Sequence, residues 1–194
     1  MRKIKVIGLG GIGTNLTAIL CRYLNSLEGD CRITLIDGKK VKKKNLDRQT
    51  FRSLGEKAFV KVGELAPEFR NISFRAVSEE VGPKNIAELI ESGDTVFLCV
   101  DNHPTRKLVS GFCEKLPDIV LISGGNELTD GNVQTYIRKD GENLTHPLTM
   151  FHPEITNTKD KPPWEMSCDE LASRPGGEQI LVTNASAAAH MLEA

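Results

Sequence analysis

The run Ile4–Gly13, IKVIGLGGIG, sets Gly8, Gly10 and Gly13 in a G-x-G-x-x-G spacing with Gly11 doubling the central glycine. Asp37 follows at the end of a second apolar run, Arg32–Asp37. In this spacing the first glycine permits a tight turn, the second lets backbone approach a phosphate, and the third lets the next helix pack on the strand. Phosphate oxygens would meet free N–H groups at the positive end of that helix. The Asp37 carboxylate would accept a hydrogen bond from a ribose hydroxyl. A nucleotide-free α/β turn is the bland alternative. Beyond Asp37 the chain reads GKKVKKKNLDRQTF and then LGEKA, rich in cations and amides. An enzyme using a dinucleotide for hydride transfer has no evident use for these groups, whereas a triphosphate site does. Taken singly, Arg48 or Lys57 reads as a surface cation, and Asp101 as a helix cap ahead of Pro104.

These motifs together resemble the ThiF/MoeB/HesA superfamily, the adenylating domain of ubiquitin-activating-like enzymes. The shared elements are the doubled-glycine loop at Gly8–Gly13, the strand-end Asp37, the N-L-x-R-Q run at Asn45–Gln49, the glycine–lysine–alanine element at Gly55–Ala58, and Asp101 in FLCVD. They stay in register over roughly the first 110 residues. The resemblance implies ATP with Mg²⁺ and activation of a C-terminal carboxylate as an acyl-adenylate, with release of pyrophosphate. A carboxylate is a poor nucleophile that repels a triphosphate, so such a site needs cations and positioning more than a general base. By the resemblance, Arg48 and Lys57 hold the phosphates, Asn45 contacts the same region with Gln49 in support, and Asp101 holds magnesium. The implied substrate is a ubiquitin-like or sulfur-carrier-like protein, or a peptide, with a free C-terminus. A homodimer is implied as well. Two other readings stay open: a non-catalytic nucleotide- or partner-binding subunit, and an NAD-dependent oxidoreductase resting on the glycine loop and Asp37 alone.

Composition bounds the class. The 194 residues make one α/β domain, with 39% hydrophobic and 26% charged residues and a formal charge of -1. Near-neutral charge and one short basic run, Lys39–Lys44, argue against a nucleic-acid partner. No apolar run approaches the roughly 20 residues of a membrane span, and no signal sequence precedes the first strand, so a cytoplasmic protein is expected. The five cysteines are scattered, with Cys21, Cys31 and Cys99 in apolar elements as small hydrophobes. None sits in the paired C-x-x-C spacing that gives many relatives a structural zinc, so no zinc site is expected. Two further departures are Lys39, where the family commonly has a second aspartate, and Arg2 as the only arginine upstream of the glycine loop.

These residues must be positioned by elements that alternate between strand and helix up to residue 124. Strands are expected at 3–7, 32–36, 72–76, 96–100 and 119–123, and helices at 12–26, 55–67, 83–92 and 104–115. The alternation predicts a Rossmann-like, doubly wound and mostly parallel sheet. Gly8, Asp37, Asp101 and Gly124 then converge beyond the strands' C-terminal ends. Residues 125–194 form an extension: an antiparallel strand over Val133–Gly141 ending in a turn signal, a proline-rich segment from Asn143 to Gly177, and a closing helix over Asn184–Leu192. The resemblance makes the proline-rich segment a crossover loop. Cys168 within it is a candidate acyl-accepting thiol, though Asp169 and Glu170 beside it disfavour a thiolate.

Overall fold

The computed structural model describes residues 1–43, 46, 49–126, 130–165 and 181–194. Asn45, Arg48 and Cys168 lie outside the described residues. Seven strands form one sheet in the order β3-β2-β1-β4-β5-β6-β7. They are β1 (Arg2–Ile7), β2 (Cys31–Ile36), β3 (Ile72–Val77), β4 (Thr95–Leu98), β5 (Ile119–Asn126), β6 (Gly131–Lys139) and β7 (Glu142–Asn143). The first five run parallel; β6 and β7 are antiparallel. The expected mostly parallel sheet with an antiparallel extension is therefore present. Six α-helices are described: α1 (Gly11–Asn25), α2 (Lys57–Leu65), α3 (Ile86–Leu89), α4 (His103–Cys113), α5 (Leu148–Phe151) and α6 (Leu181–Glu193).

The central strands are apolar on both sides, as a parallel sheet covered on both faces requires. One core holds Val6, Ile33, Leu35, Phe97 and Ile122 under Leu16 and Leu20 of α1, Ala58 of α2 and Ala188 of α6. The other holds Ile7, Ile36, Val96, Leu98 and Leu121 under α3 and α4, which contribute Leu89, Val109 and Cys113. The one cation inside the sheet that sequence alternation does not explain, Lys5, is 3.5 Å from Asp94, and both are buried.

Most element bounds differ from the pattern-based expectation by one to three residues, and three of the differences have a local cause or extend an element. Helix α3 is a single turn rather than 83–92, because the Asn85 side chain accepts from Gly82 N (2.9 Å) and donates to Glu80 O (3.1 Å), folding a turn where the helix would start. Helix α2 starts at Lys57 because Gly55 sits at φ +145°. Strand β5 runs on to Asn126, paired with β6 from Ile119↔Arg138 to Asn126↔Gly131. The hairpin from β6 to β7 turns on Asp140 and Gly141, both at positive φ, as a two-residue Asp-Gly connection demands. Among the described residues no helix is long and apolar enough to cross a membrane.

Candidate active site

The strand order reverses between β1 and β4, where an open α/β sheet forms its crevice beyond the C-terminal ends of β1, β2 and β4. Gly8 leaves β1 at φ +91°, and a Cβ there would lie 2.8 Å from Cys99 O. A Cβ on Gly13 would lie 2.0 Å from Gly8 O, so the loop closes on its own helix only because both are glycine. Gly11 is needed for a different reason: its Cβ would fall 2.3 Å from the Asn184 side chain of α6. At Gly10 a Cβ would meet nothing within 4 Å, so this is where the backbone faces open space. Gly10 is the N-cap of α1 and no side chain caps it. A 15-residue helix therefore presents an uncapped N-terminus to the crevice, the arrangement that attracts phosphate.

Asp37 ties this loop to the end of β2. Its Oδ2 accepts from Leu9 N (2.7 Å) and its Oδ1 from Lys39 N (2.8 Å). The carboxylate is 8% exposed and lies 3.8 Å from the Lys57 ammonium. Asp37 thus orders the glycine loop itself, a role the sequence pattern does not announce. Each oxygen keeps a lone pair for a ribose hydroxyl. Lys57 is the first residue of α2, where a cation faces the positive end of the helix dipole, and it is 6% exposed. Burial pushes its pKa below the usual lysine value, with Asp37 pulling the other way. Its backbone N donates to Lys39 O (3.0 Å), so the two lysines share one frame.

Lys39, in turn, reaches Asp101 Oδ1 at 3.6 Å. Asp101 follows β4 and is more than half exposed, while Asn102 behind it caps α4 by accepting from Thr105 N (2.9 Å). The expected helix cap at this point is therefore Asn102, which leaves Asp101 at the crevice. Gln49 is buried, with its Oε1 unpartnered among the described residues. The segment beside it is pinned on both sides. Thr50 Oγ1 donates to Thr14 O (3.1 Å) on α1, Lys61 Nζ donates to Thr50 O, and Arg52 N donates to Glu64 Oε1 (2.6 Å). Lys61 also lies 4.8 Å from the Phe51 ring centroid.

Sequence reasoning missed three groups here. Glu80 lies after β3, and its carboxyl is raised by burial and lowered by Lys39, with Asp37, Asp101 and Lys57 also acting on it. Arg106 on α4 donates to Val100 O (2.6 Å), Gly124 O (2.8 Å) and Ser123 Oγ (2.6 Å), stitching the ends of β4 and β5. Lys61 buttresses the loop that carries Gln49. None has a motif of its own; only the fold brings them in. Of the described cysteines only Cys99 underlies the glycine loop; Cys21, Cys31, Cys99 and Cys113 are buried and free, and burial pushes Cys21, Cys99 and Cys113 up to about 12.

Among the described residues no group of three or more His, Cys, Asp or Glu side chains could hold a metal ion. A magnesium ion shared with phosphate oxygens needs only one or two carboxylates. The exposed, hard-oxygen Asp101 fits that need.

The chain matches known proteins over most of its length. The ThiF family model matches residues 1–172. The adenylyltransferase and sulfurtransferase MOCS3 of Drosophila yakuba is 30% identical over 166 residues, 81% of this chain and 35% of that protein. The molybdopterin-synthase adenylyltransferase of Haemophilus influenzae is 28% identical over 138 residues, covering 69% of this chain and 54% of that protein. Escherichia coli MccB, solved with MccA-N7isoASN, superposes with a TM-score of 0.74 at 20% identity, over 99% of this chain and 55% of MccB. MccB with ATP gives 0.68 at 22% identity, over 99% and 54%. This chain thus spans about a third of the MOCS3 relative and about half of MccB. With the glycine loop, Asp37, Lys57 and Asp101 assembled on a matching fold, the chain belongs to the ThiF family.

Proposed function

We propose that this protein transfers AMP from ATP to the C-terminal carboxylate of a peptide or small carrier-type protein, releasing pyrophosphate. The observation that carries this reading is the convergence of the uncapped, glycine-lined N-terminus of α1 with the Lys57–Asp37 and Lys39–Asp101 pairs in one crevice. In the reaction a carboxylate oxygen attacks the α-phosphorus, the bond to the bridging oxygen breaks, and its electron pair leaves on pyrophosphate. Gly10 and Gly11 offer backbone N–H groups to phosphate oxygens. Lys57, buried and held by Asp37, places positive charge where the leaving group gains negative charge. Arg48 adds to that charge, Asn45 and Gln49 orient it, and Asp37 holds the ribose. Asp101 would hold magnesium, which when bound neutralises phosphate charge. MccB has been solved with ATP and with the peptide MccA, which supports a peptide or carrier C-terminus as the acceptor class. The working form on this reading is a homodimer, and the product is the acyl-adenylate, with transfer to Cys168 an optional later step.

Mass action on the folded state supplies the test. At 100 times its Kd, magnesium ATP should raise the melting temperature by about 5–10 °C, from roughly 2.7 kcal/mol of linkage energy in a chain of this size. NAD should raise it less. Equal or larger stabilisation by NAD would overturn the reading in favour of an oxidoreductase. One observation favours a second reading, a nucleotide-holding subunit without turnover: Lys39 sits 3.6 Å from the carboxylate that catalysis assigns to magnesium. ATP binding without ATP–pyrophosphate exchange, across peptides ending in a free carboxylate, would establish that reading instead.

A further inference from the structure

Beside the crevice the loop Ser78–Gly82 leaves β3 and crosses the end of β2. A Cβ on Gly38, the residue after Asp37, would lie 2.7 Å from Glu80 N and 3.0 Å from Glu80 Cγ. Glu80 is thus laid against the ribose aspartate's own strand end. Two adjacent glutamates occupy the loop, and the structure separates them. Glu79 Oε2 accepts from Asn85 Nδ2 (3.0 Å) on the outer side, while the same Asn85 Nδ2 holds Glu80 by its backbone oxygen (3.1 Å). Glu80 Oε1 is buried and, among the described residues, has no hydrogen-bond partner. The charges that act on it are those of the site: Lys39, Asp37, Asp101 and Lys57. On the far side of the loop the single tryptophan of the chain, Trp164, packs its Cβ and ring on Gly82, where a Cβ would lie 3.3 Å away.

A buried acceptor without a donor costs free energy until a donor arrives. Phosphates belong at the α1 N-terminus and the ribose at Asp37, so the base of the same nucleotide lies on the side of Asp37 away from Gly10, toward Gly38 and this loop. We infer that Glu80 is the base-reading residue of the nucleotide site, accepting a hydrogen bond from the exocyclic amine of adenine and so selecting ATP over a purine triphosphate that carries a carbonyl at that position. A purine with a carbonyl at that position sets an acceptor against the buried acceptor oxygen, and a site built for a hydrogen bond discriminates strongly against a ligand that lacks it.

This assignment rests on the nucleotide-binding reading above, and the test separates the two. Inosine triphosphate, which replaces the amine by a carbonyl, is titrated against ATP, both with magnesium. Binding is followed by calorimetry and by the fluorescence of Trp164. Wild type should bind ATP at least about tenfold tighter than inosine triphosphate, the size expected for one hydrogen bond to a charged or buried group. Glu80→Ala should bring the two affinities within about twofold, chiefly by weakening ATP, since the acceptor is gone. Glu80→Gln keeps an acceptor for the amine but adds a donor for the inosine carbonyl, so its preference for ATP should fall between those of wild type and Glu80→Ala, and an unchanged melting temperature identifies the variants as folded. A wild type that binds both nucleotides equally, or a Glu80→Ala variant that keeps the full preference, would overturn the assignment while leaving nucleotide binding intact. Binding of neither nucleotide would overturn the nucleotide reading itself, and this assignment with it.

Discussion

Lys57 shows how one side chain couples charge, burial and ligand. It is a cation at a helix N-terminus and 6% exposed, two costs that only an anion can offset. Because burial lowers its folded pKa below the ordinary value, the unfolded chain binds more protons in the window between the two. The penalty is therefore full below the folded pKa and relieved as pH rises through it toward the ordinary lysine range. Stability of the ligand-free protein should accordingly rise with alkaline pH more in wild type than in Lys57→Gln, as read by denaturant melts. ATP binding has the opposite sign. The triphosphate favours the charged ammonium, so affinity should fall in that window by up to about tenfold per pH unit, and Lys57→Gln should flatten the profile. Equal pH slopes in both proteins would remove Lys57 from the phosphate site. In ATP–pyrophosphate exchange, Asp101→Ala and Lys57→Ala should each lose at least about 100-fold, as should Arg48→Ala, because each removes charge that acts on the reacting phosphates. Lys57 was legible in the sequence because its partners stand at fixed distances along the chain. Glu80 and Arg106 were not. Glu79 and Glu80 are indistinguishable as residues, and only Gly38 and Asn85, brought in by the fold, give them different surroundings.

At the scale of elements, the glycine loop and the closing helix are one unit. Helix α6 packs on α1, and the fully buried Asn184 places both polar atoms of its amide over Gly11 with no hydrogen-bond partner. A methyl at Gly11 would occupy the same space, at 2.3–2.4 Å from three Asn184 atoms. Gly11→Ala should therefore destabilise by roughly 1–3 kcal/mol through overpacking. Asn184→Ala vacates the space and removes an orphaned amide, so the double variant should recover at least about 1 kcal/mol of that loss. A strictly additive cycle would show that the two side chains do not meet. The sequence disclosed the helix at α6, through its alanine-rich run, but not its registration on the phosphate loop, which depends on a contact spanning most of the chain. Helix α3 departs from expectation for a local reason instead. Its apolar residues promised ten residues of helix, and local side-chain bonds of Asn85 and Asp94, the latter accepting from Glu91 N (2.8 Å), cut it to one turn.

At the scale of the molecule, the edges of the sheet are managed within the chain. Strand β3 alternates exposed Ser73 and Arg75 along its edge, and β7 is only two residues long, both devices that discourage pairing with another sheet. Exposed apolar side chains lie instead on or beside helices: Met150 and Phe151 of α5, Val182 of α6 and, on the layer of α1 and α2, Tyr23, Leu54 and Phe59, each at least half exposed. A second copy should therefore dock through this helical layer rather than by extending the sheet. Closed two-fold pairing is the commonest way for a chain to cover such a patch. Light scattering at micromolar concentration should report near twice the chain mass of 21.3 kDa. Phe59→Glu should return the mass to a single chain while leaving the melting temperature of the diluted protein within about 2 °C, because an exposed position away from the core costs little on folding. A single-chain mass in wild type would sink the dimer. A Phe59→Glu dimer would move the interface to another face, since a buried, unpaired carboxylate at the centre of an apolar contact could not be tolerated there.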